Sequence, residues 1–286
     1  MDQTDRIRQD VARDYARAVQ TPGGSCCGGA APKGVVAKLA GYADEELLAL
    51  PPEAVVNSFG CGNPLAFSAI QPGQVVLDLG SGAGIDLLLA ARKVGPTGRV
   101  IGVDMTDEMI AKARENIAAS GLTNVEVRKG IIEDLPVDTA TVDWVISNCV
   151  INLSPEKPRV FAEIARVLKP GGTMLVSDIV ARDLPPELRE ERRLYSSCLG
   201  GAIPEEDYLA GLRAAGLTDL EVRDRLVYDA EQIEAFVASE LETLTGSGGG
   251  CCCGSTGGLR TALARRYAQE LVGKVASVKV FGRRAA

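Results

Sequence analysis

Val75-Val76-Leu77-Asp78-Leu79-Gly80-Ser81-Gly82-Ala83-Gly84-Ile85-Asp86 is the stretch from which the rest of the chain can be read. Apolar residues run into an acidic one, three glycines alternate with small residues, and an apolar run from Leu87 to Ala91 follows. That order predicts a buried parallel strand, a glycine turn and a helix. Glycine permits the backbone angles of a tight turn and leaves no Cβ to keep a ligand away. A cofactor is expected where this turn meets the sheet.

Downstream, the same alternation repeats. Arg99 to Val103 reads as a second strand with Asp104 at its carboxyl end. Thr106 is expected to cap a helix whose first turn carries Asp107 and Glu108 and which Gly121 closes. Val125 to Arg128 and Asp143 to Ser147 read as strands. Residues 156 to 168 read as a helix stopped by Lys169-Pro170-Gly171-Gly172, and Thr173 to Asp178 as a fifth strand. Strands and helices at this spacing predict a doubly wound, mostly parallel α/β sheet.

Upstream, Ile7, Val11, Tyr15 and Val19 recur every four residues and predict an amphipathic helix over residues 1 to 20, either a docked surface helix or a lid over a ligand. A short helix is expected over 44 to 50, ended by Pro51-Pro52. Towards the C-terminus, helices are expected near 205 to 215, 231 to 244 and 259 to 272, with strands near 219 to 227 and over Ala276 to Phe281. The expected organisation is therefore a thiol-bearing N-terminal segment (1–64), a cofactor-binding domain (65–180) and a C-terminal region (181–286) that adds the last strands.

The composition narrows the function. A net charge of −7 over 286 residues offers no basic stripe for nucleic acid. No apolar run approaches the roughly 18 residues that would suggest a membrane span, and Met1 to Arg6 lacks a signal-peptide pattern. A cytoplasmic protein with mostly reduced cysteines is expected. Histidine is absent, which removes Ser-His and Cys-His catalysis and imidazole metal ligation. A metal or metalloid site must then use thiolates and oxygens, and thiolates select soft ions.

The dinucleotide fingerprint needs glycine at relative positions one, three and six. Here Gly80 and Gly82 fill the first two, but the sixth is Ile85 and the third glycine is Gly84. Asp104 stands where an acidic group can accept ribose hydroxyls. Asp78-Leu79-Gly80-Ser81-Gly82-Ala83-Gly84, Val103-Asp104-Met105-Thr106 and Leu168-Lys169-Pro170-Gly171-Gly172 together resemble class I S-adenosylmethionine-dependent methyltransferases. The resemblance implies a Rossmann-like core and a cofactor set of Asp78, Gly80, Ser81, Gly82, Gly84, Asp104, Met105, Ile132, Glu133 and Asn148. Glu133 departs slightly from that family, where Asp is common beside the adenine.

The eight cysteines are grouped as Cys26-Cys27, Cys61, Cys149, Cys198 and Cys251-Cys252-Cys253. A single free cysteine is often a small buried hydrophobe, and Cys149, just after the fourth strand, is open to that reading. Cys61 and Cys198 lie in glycine-bearing, turn-like segments where a core role is less expected. Separations of 88 and 49 residues match no local zinc pattern. A site assembled from distant segments is the alternative.

A closer resemblance bears on this. Cys61-Gly62-Asn63-Pro64, Ser147-Asn148-Cys149-Val150-Ile151-Asn152-Leu153 and Cys198-Leu199-Gly200-Gly201-Ala202 are similar to bacterial arsenite methyltransferases. The resemblance implies that Cys61, Cys149 and Cys198 bind trivalent arsenic and that Cys26 or Cys27 takes part in thiol exchange. It also implies arsenite or its thiol conjugates as substrate, and thioredoxin or glutathione as reductant. Adjacent cysteines have α-carbons about 3.8 Å apart, short of the roughly 4.4–6.8 Å of a relaxed disulfide. A partner across the site is therefore expected, and with the resemblance the expectation is a bond from Cys26 or Cys27 to Cys61 during turnover.

Cys251 to Cys253 reads either as a loop that collects a soft metal or as a dispensable segment. Two rival functions stay open at this level. One is an O- or C-methyltransferase acting on a small molecule with Glu or Asp as base; the other is a non-catalytic, thiol-rich metalloid-binding protein.

Overall fold

The computed structural model describes residues 2–20, 42–48, 50–57, 62–66, 68–185, 198–234 and 265–286. Among them, seven strands form one sheet: β1 (Val75–Leu79), β2 (Arg99–Asp104), β3 (Val125–Lys129), β4 (Val142–Asn148), β5 (Leu168–Ala181), β6 (Leu217–Val227) and β7 (Val275–Arg284). Their order is β3-β2-β1-β4-β5-β7-β6. The first five run parallel, while β7 lies antiparallel between β5 and β6. This is the expected Rossmann-like, mostly parallel sheet, and the C-terminal region does supply its last two strands.

The quoted stretch sits at the centre. Val76, Leu77 and Leu79 are fully buried, as a strand covered on both faces must be. Alternate residues feed two apolar layers. Val76, Ile146 and Leu175 pack under α4 (Ile85–Val94) and α5 (Asp107–Ser120). Leu77, Val145 and Val176 pack under α6 (Lys157–Val167) and α7 (Glu205–Ala214). Each fully buried side chain of this size stabilises by about 1.5–3 kcal/mol. The chain leaves β1 in one direction for β2 and returns on the other side as β4, so the strand order reverses between β1 and β4. Crevices at such reversals receive ligands in open α/β sheets.

The N-terminal helix α1 (Gln3–Gln20) forms as its periodicity predicts and buries Val11. A short helix α2 (Asp44–Leu48) is also present. Pro51-Pro52 does not simply end it, because Pro52 opens a further helix, α3 (Pro52–Val56). Proline suits a first helical turn, where its missing N–H has no partner to lose. Thr106 precedes α5 but makes no side-chain cap; the Asp104 carboxylate accepts its N–H instead, at 2.9 Å. Helix α6 stops at Val167, and Lys169 to Gly172 is accommodated as a register shift between β4 and β5. No described helix is long and apolar enough to cross a membrane.

Candidate active site

The carboxyl ends of β1, β2 and β4 surround a cleft of about 970 Å³, measured out to its solvent mouth. Its floor is the glycine turn, with φ of +63° at Gly80, +51° at Gly82 and +93° at Gly84. The N–H groups of Gly80 and Ser81 both donate to the Val103 carbonyl, at 2.8 and 3.1 Å, which ties the turn to β2. A Cβ on Gly80 would stand 2.5 Å from both γ-carbons of Val150. A Cβ on Gly82 would meet nothing within 4 Å, so this glycine leaves room for a ligand rather than for the protein.

Four carboxylates, Asp78, Asp86, Asp104 and Glu133, are among the lining residues. Asp104 accepts the Gly82 N–H on one oxygen and the Thr106 N–H on the other, both at 2.9 Å. Each oxygen keeps capacity for a further donor. Burial holds its carboxyl above the ordinary range, against those N–H groups. Asp78 is 2% exposed, and no hydrogen-bond donor reaches its carboxylate among the described residues. Burial first, then the charges of Asp86 and Asp104, push its carboxyl well above the usual range. Glu133 accepts the Ser154 hydroxyl at 2.7 Å and Arg8 Nε at 3.2 Å. Met105, Ile132, Ser81 and Asn148 line the same cleft, so every residue of the expected cofactor set except Gly84 borders it.

The two described cysteines meet at one end. Cys149 follows β4, lines the cleft, and donates its N–H to the Ser177 carbonyl at 2.7 Å. The Cys198 thiol donates to the Cys149 carbonyl at 2.7 Å. Both are buried in one apolar cluster with Val11, Leu153 and Ile179, so Cys198 packs as a core residue where its turn-like segment predicts otherwise. The cause is the segment's folding back against β5, where Ala181 N–H donates to Ile203 O. Both also have left-handed backbones, φ +59° for Cys149 and +62° for Cys198. For residues with a side chain that costs about 1–3 kcal/mol and persists where surrounding structure enforces it.

Cys149 is disulfide-bonded, and its partner lies outside the described residues. Cys26, Cys27, Cys61 and Cys251 to Cys253 lie there too, and with them the expected meeting of three thiolates and the expected disulfide to Cys61. Among the described residues no group of three potential ligands assembles.

The sequence reading missed several residues that shape the cleft. Asp86 is buried in the first turn of α4, accepts the Tyr42 hydroxyl at 2.8 Å and stands 3.3 Å from the Asn148 amide nitrogen. An acidic residue inside the otherwise apolar run Ile85 to Ala91 was the available signal. From α1, Arg8, Val11 and Tyr15 line the cleft; Arg8 bridges Glu133 and Glu156. This favours the lid over the surface helix. The buried Lys157 ammonium donates to the Asn152 and Ser154 carbonyls at 3.3 and 3.1 Å. Burial brings it down to about 8, against the opposing charges of Asp178, Cys198 and Glu133. Burial also raises Asp178 to about 7, against the Ile179 N–H, Lys157 and the Tyr208 hydroxyl.

Residues 70–231 match the family model described as a methyltransferase domain. An arsenite methyltransferase of Halobacterium salinarum is 45% identical over 215 residues, covering 75% of this chain and 54% of that protein. One from Aquipseudomonas alcaligenes is 44% identical over 186 residues, covering 62% and 52%. The chain thus spans about half the length of these curated relatives. Among solved structures, an arsenic(III) S-adenosylmethionine methyltransferase from Chlamydomonas reinhardtii superposes with a TM-score of 0.59 at 32% identity, covering 90% of this chain and 75% of that one. The chain belongs to the methyltransferase-domain family, among the class I S-adenosylmethionine-dependent methyltransferases related to the arsenite methyltransferases.

Proposed function

We propose that this protein transfers a methyl group from S-adenosylmethionine to trivalent arsenic held on cysteine thiolates. The observation that carries the reading is the juxtaposition of Cys149 and Cys198, in contact through a thiol–carbonyl hydrogen bond, at one end of an acid-lined glycine cleft. The cleft fits the cofactor: Gly82 leaves space open, and Asp78 is a buried carboxylate to which no hydrogen bond is donated among the described residues. S-adenosylmethionine supplies an electrophilic methyl group on a positively charged sulfur. Asp104 has free lone pairs for ribose hydroxyls, and Ile132 and Glu133 would flank the adenine.

Cys149 and Cys198, with Cys61 as the third ligand, would hold the substrate. Each thiol that bonds arsenic gives its proton to an arsenic-bound hydroxyl, which leaves as water. Arsenic on thiolates keeps a lone pair, so taking the methyl group requires no base, and the absence of histidine costs nothing. The protein's contribution is orientation, which removes roughly 7–11 kcal/mol of barrier in the best cases. Methylation oxidises arsenic by two electrons, and a pair of thiols returns them by closing a disulfide. The disulfide at Cys149 must open before that residue can bind arsenic, which gives thioredoxin or glutathione a defined role. Cys26 or Cys27 would relay thiols in that exchange. A reducing cytoplasm suits this cycle.

Purified protein with arsenite, a thiol reductant and S-adenosylmethionine tests the reading through speciation of the arsenic. Methylated arsenic that requires all three components is expected. Methyl transfer to another acceptor without arsenite would favour a small-molecule O- or C-methyltransferase, and arsenite binding without cofactor turnover a metalloid-binding protein.

A further inference from the structure

Two consecutive residues at the end of β4 engage two segments that are distant in sequence. The Cys149 carbonyl accepts the Cys198 thiol at 2.7 Å. One residue earlier, the Asn148 side chain grips the backbone of Gly62, which directly follows Cys61 in the chain. The Gly62 N–H donates to Asn148 Oδ1 at 3.1 Å, and Asn148 Nδ2 donates to the Gly62 carbonyl at 2.5 Å. A backbone N–H can meet only the amide oxygen and a backbone carbonyl only the amide nitrogen, so this pair fixes which way the amide faces. Nδ2 also reaches the Tyr42 hydroxyl oxygen at 3.0 Å, and that hydroxyl donates in turn to Asp86 Oδ1 at 2.8 Å. The two hydrogens of the amide nitrogen are thereby committed to the protein rather than to a ligand.

Gly62 is held from its other side by β5. A Cβ on it would stand 1.9 Å from Ser177 Oγ and 2.9 Å from Ser177 Cβ, so only glycine lets the peptide lie there. Ser177 pairs with Asn148 in the β4–β5 register, and its carbonyl accepts the Cys149 N–H at 2.7 Å. The residues that follow continue the anchoring. Asn63 Oδ1 accepts the N–H groups of Leu65 and Ala66 at 3.0 and 3.1 Å, and Leu65 is fully buried in the core. The chain on the carboxyl side of Cys61 is thus fixed to the strand end that presents Cys149.

We infer that Asn148 is a positioning residue for the arsenic site: by clasping Gly62 it fixes the point from which Cys61 extends, beside Cys149, before arsenic arrives. The inference rests on the arsenic reading of the thiols, and it gives the Asn148 amide a role towards the acceptor rather than the cofactor. Once two thiolates hold an arsenic atom, bonding by a third is intramolecular. What that third bond adds depends on the effective concentration of the thiol at the site. A clasp one residue away in the chain raises that concentration without touching arsenic.

Calorimetric titration with arsenite tests this on the reduced full-length protein, with Cys251, Cys252 and Cys253 replaced by serine as the parent and no cofactor present. Cys61→Ser is expected to weaken arsenite binding at least tenfold. Asn148→Ala is expected to do the same, and Cys61→Ser added to it to cost less than a further twofold, because a released thiol contributes little. Gly62→Ala attacks the clasp from its other partner and is expected to weaken binding at least fivefold. Adding Ser177→Gly, which makes room for the new Cβ, is expected to return affinity to within threefold of the parent. Losses in Asn148→Ala and Cys61→Ser that multiply in the double variant, or parental affinity in Asn148→Ala, would overturn the inference while leaving arsenic binding intact. If the parent binds no arsenite, the arsenic reading itself fails and the inference with it.

Discussion

Gly80 and Gly82 share a left-handed backbone but meet different neighbours, and that separates their roles. Gly80→Ala would drive a Cβ into Val150 and strain the turn, so a loss of about 2–4 kcal/mol of stability is expected. Gly82→Ala carries the backbone strain alone, about 1 kcal/mol, but its Cβ would enter the open cleft. Thermal unfolding should therefore report the first substitution more strongly, and cofactor titration the second, with at least a tenfold loss of affinity. Asp178 supplies a pH signature. Its folded carboxyl titrates at about 7, above the ordinary value of about 4, so between those values the folded state holds a proton that the unfolded chain has released. Stability should fall as pH rises through that window, and Asp178→Asn should flatten this part of the curve in denaturant titrations. Lys157, brought down to about 8, works in the opposite sense from about 8 to 10.4, where stability should rise with pH. Neither residue could be singled out from the sequence, since a lysine opening a helix and an acid ending a strand read as ordinary surface positions. Asp86 was visible as an oddity but not as a partner of Tyr42, because that contact spans a fold, not a motif.

At the scale of elements, α1 joins the two ends of the cleft. Arg8 engages Glu133 at one end, and Val11 packs in the cluster that holds Cys149 and Cys198 at the other. Val11→Asp would place a charge in that cluster and is expected to weaken cofactor binding at least tenfold. Arg8→Ala removes the ion pairs to Asp5, Glu133 and Glu156 but leaves the apolar contact, so a loss of roughly threefold is expected, diminishing in high salt. Both follow from calorimetric titration; unchanged affinity in Val11→Asp would mean that α1 does not close the site. The regular elements were largely legible, because hydrophobic period and glycine placement are local properties. What escaped was decided by tertiary contact: the second short helix opened by Pro52, the substitution of Asp104 for Thr106 as the partner of the helix N-terminus, and the burial of Cys198.

Taken whole, the molecule brings chemistry together by topology. The reversal of strand order between β1 and β4 sets the glycine turn beside Asn148 and Cys149. The fold-back after β5 delivers Cys198 to the Cys149 carbonyl. No spacing in the sequence encodes that meeting, which is why composition and motif spacing left several acceptors open and only resemblance suggested arsenic. The reading stands or falls on whether arsenic occupies these thiols. Arsenic K-edge absorption on reduced, arsenite-loaded protein, with Cys251, Cys252 and Cys253 replaced by serine, addresses this directly. Three sulfur neighbours are expected, falling to two when Cys149→Ser or Cys198→Ser is added. An oxygen-only shell, or three sulfurs retained in both added variants, would contradict it.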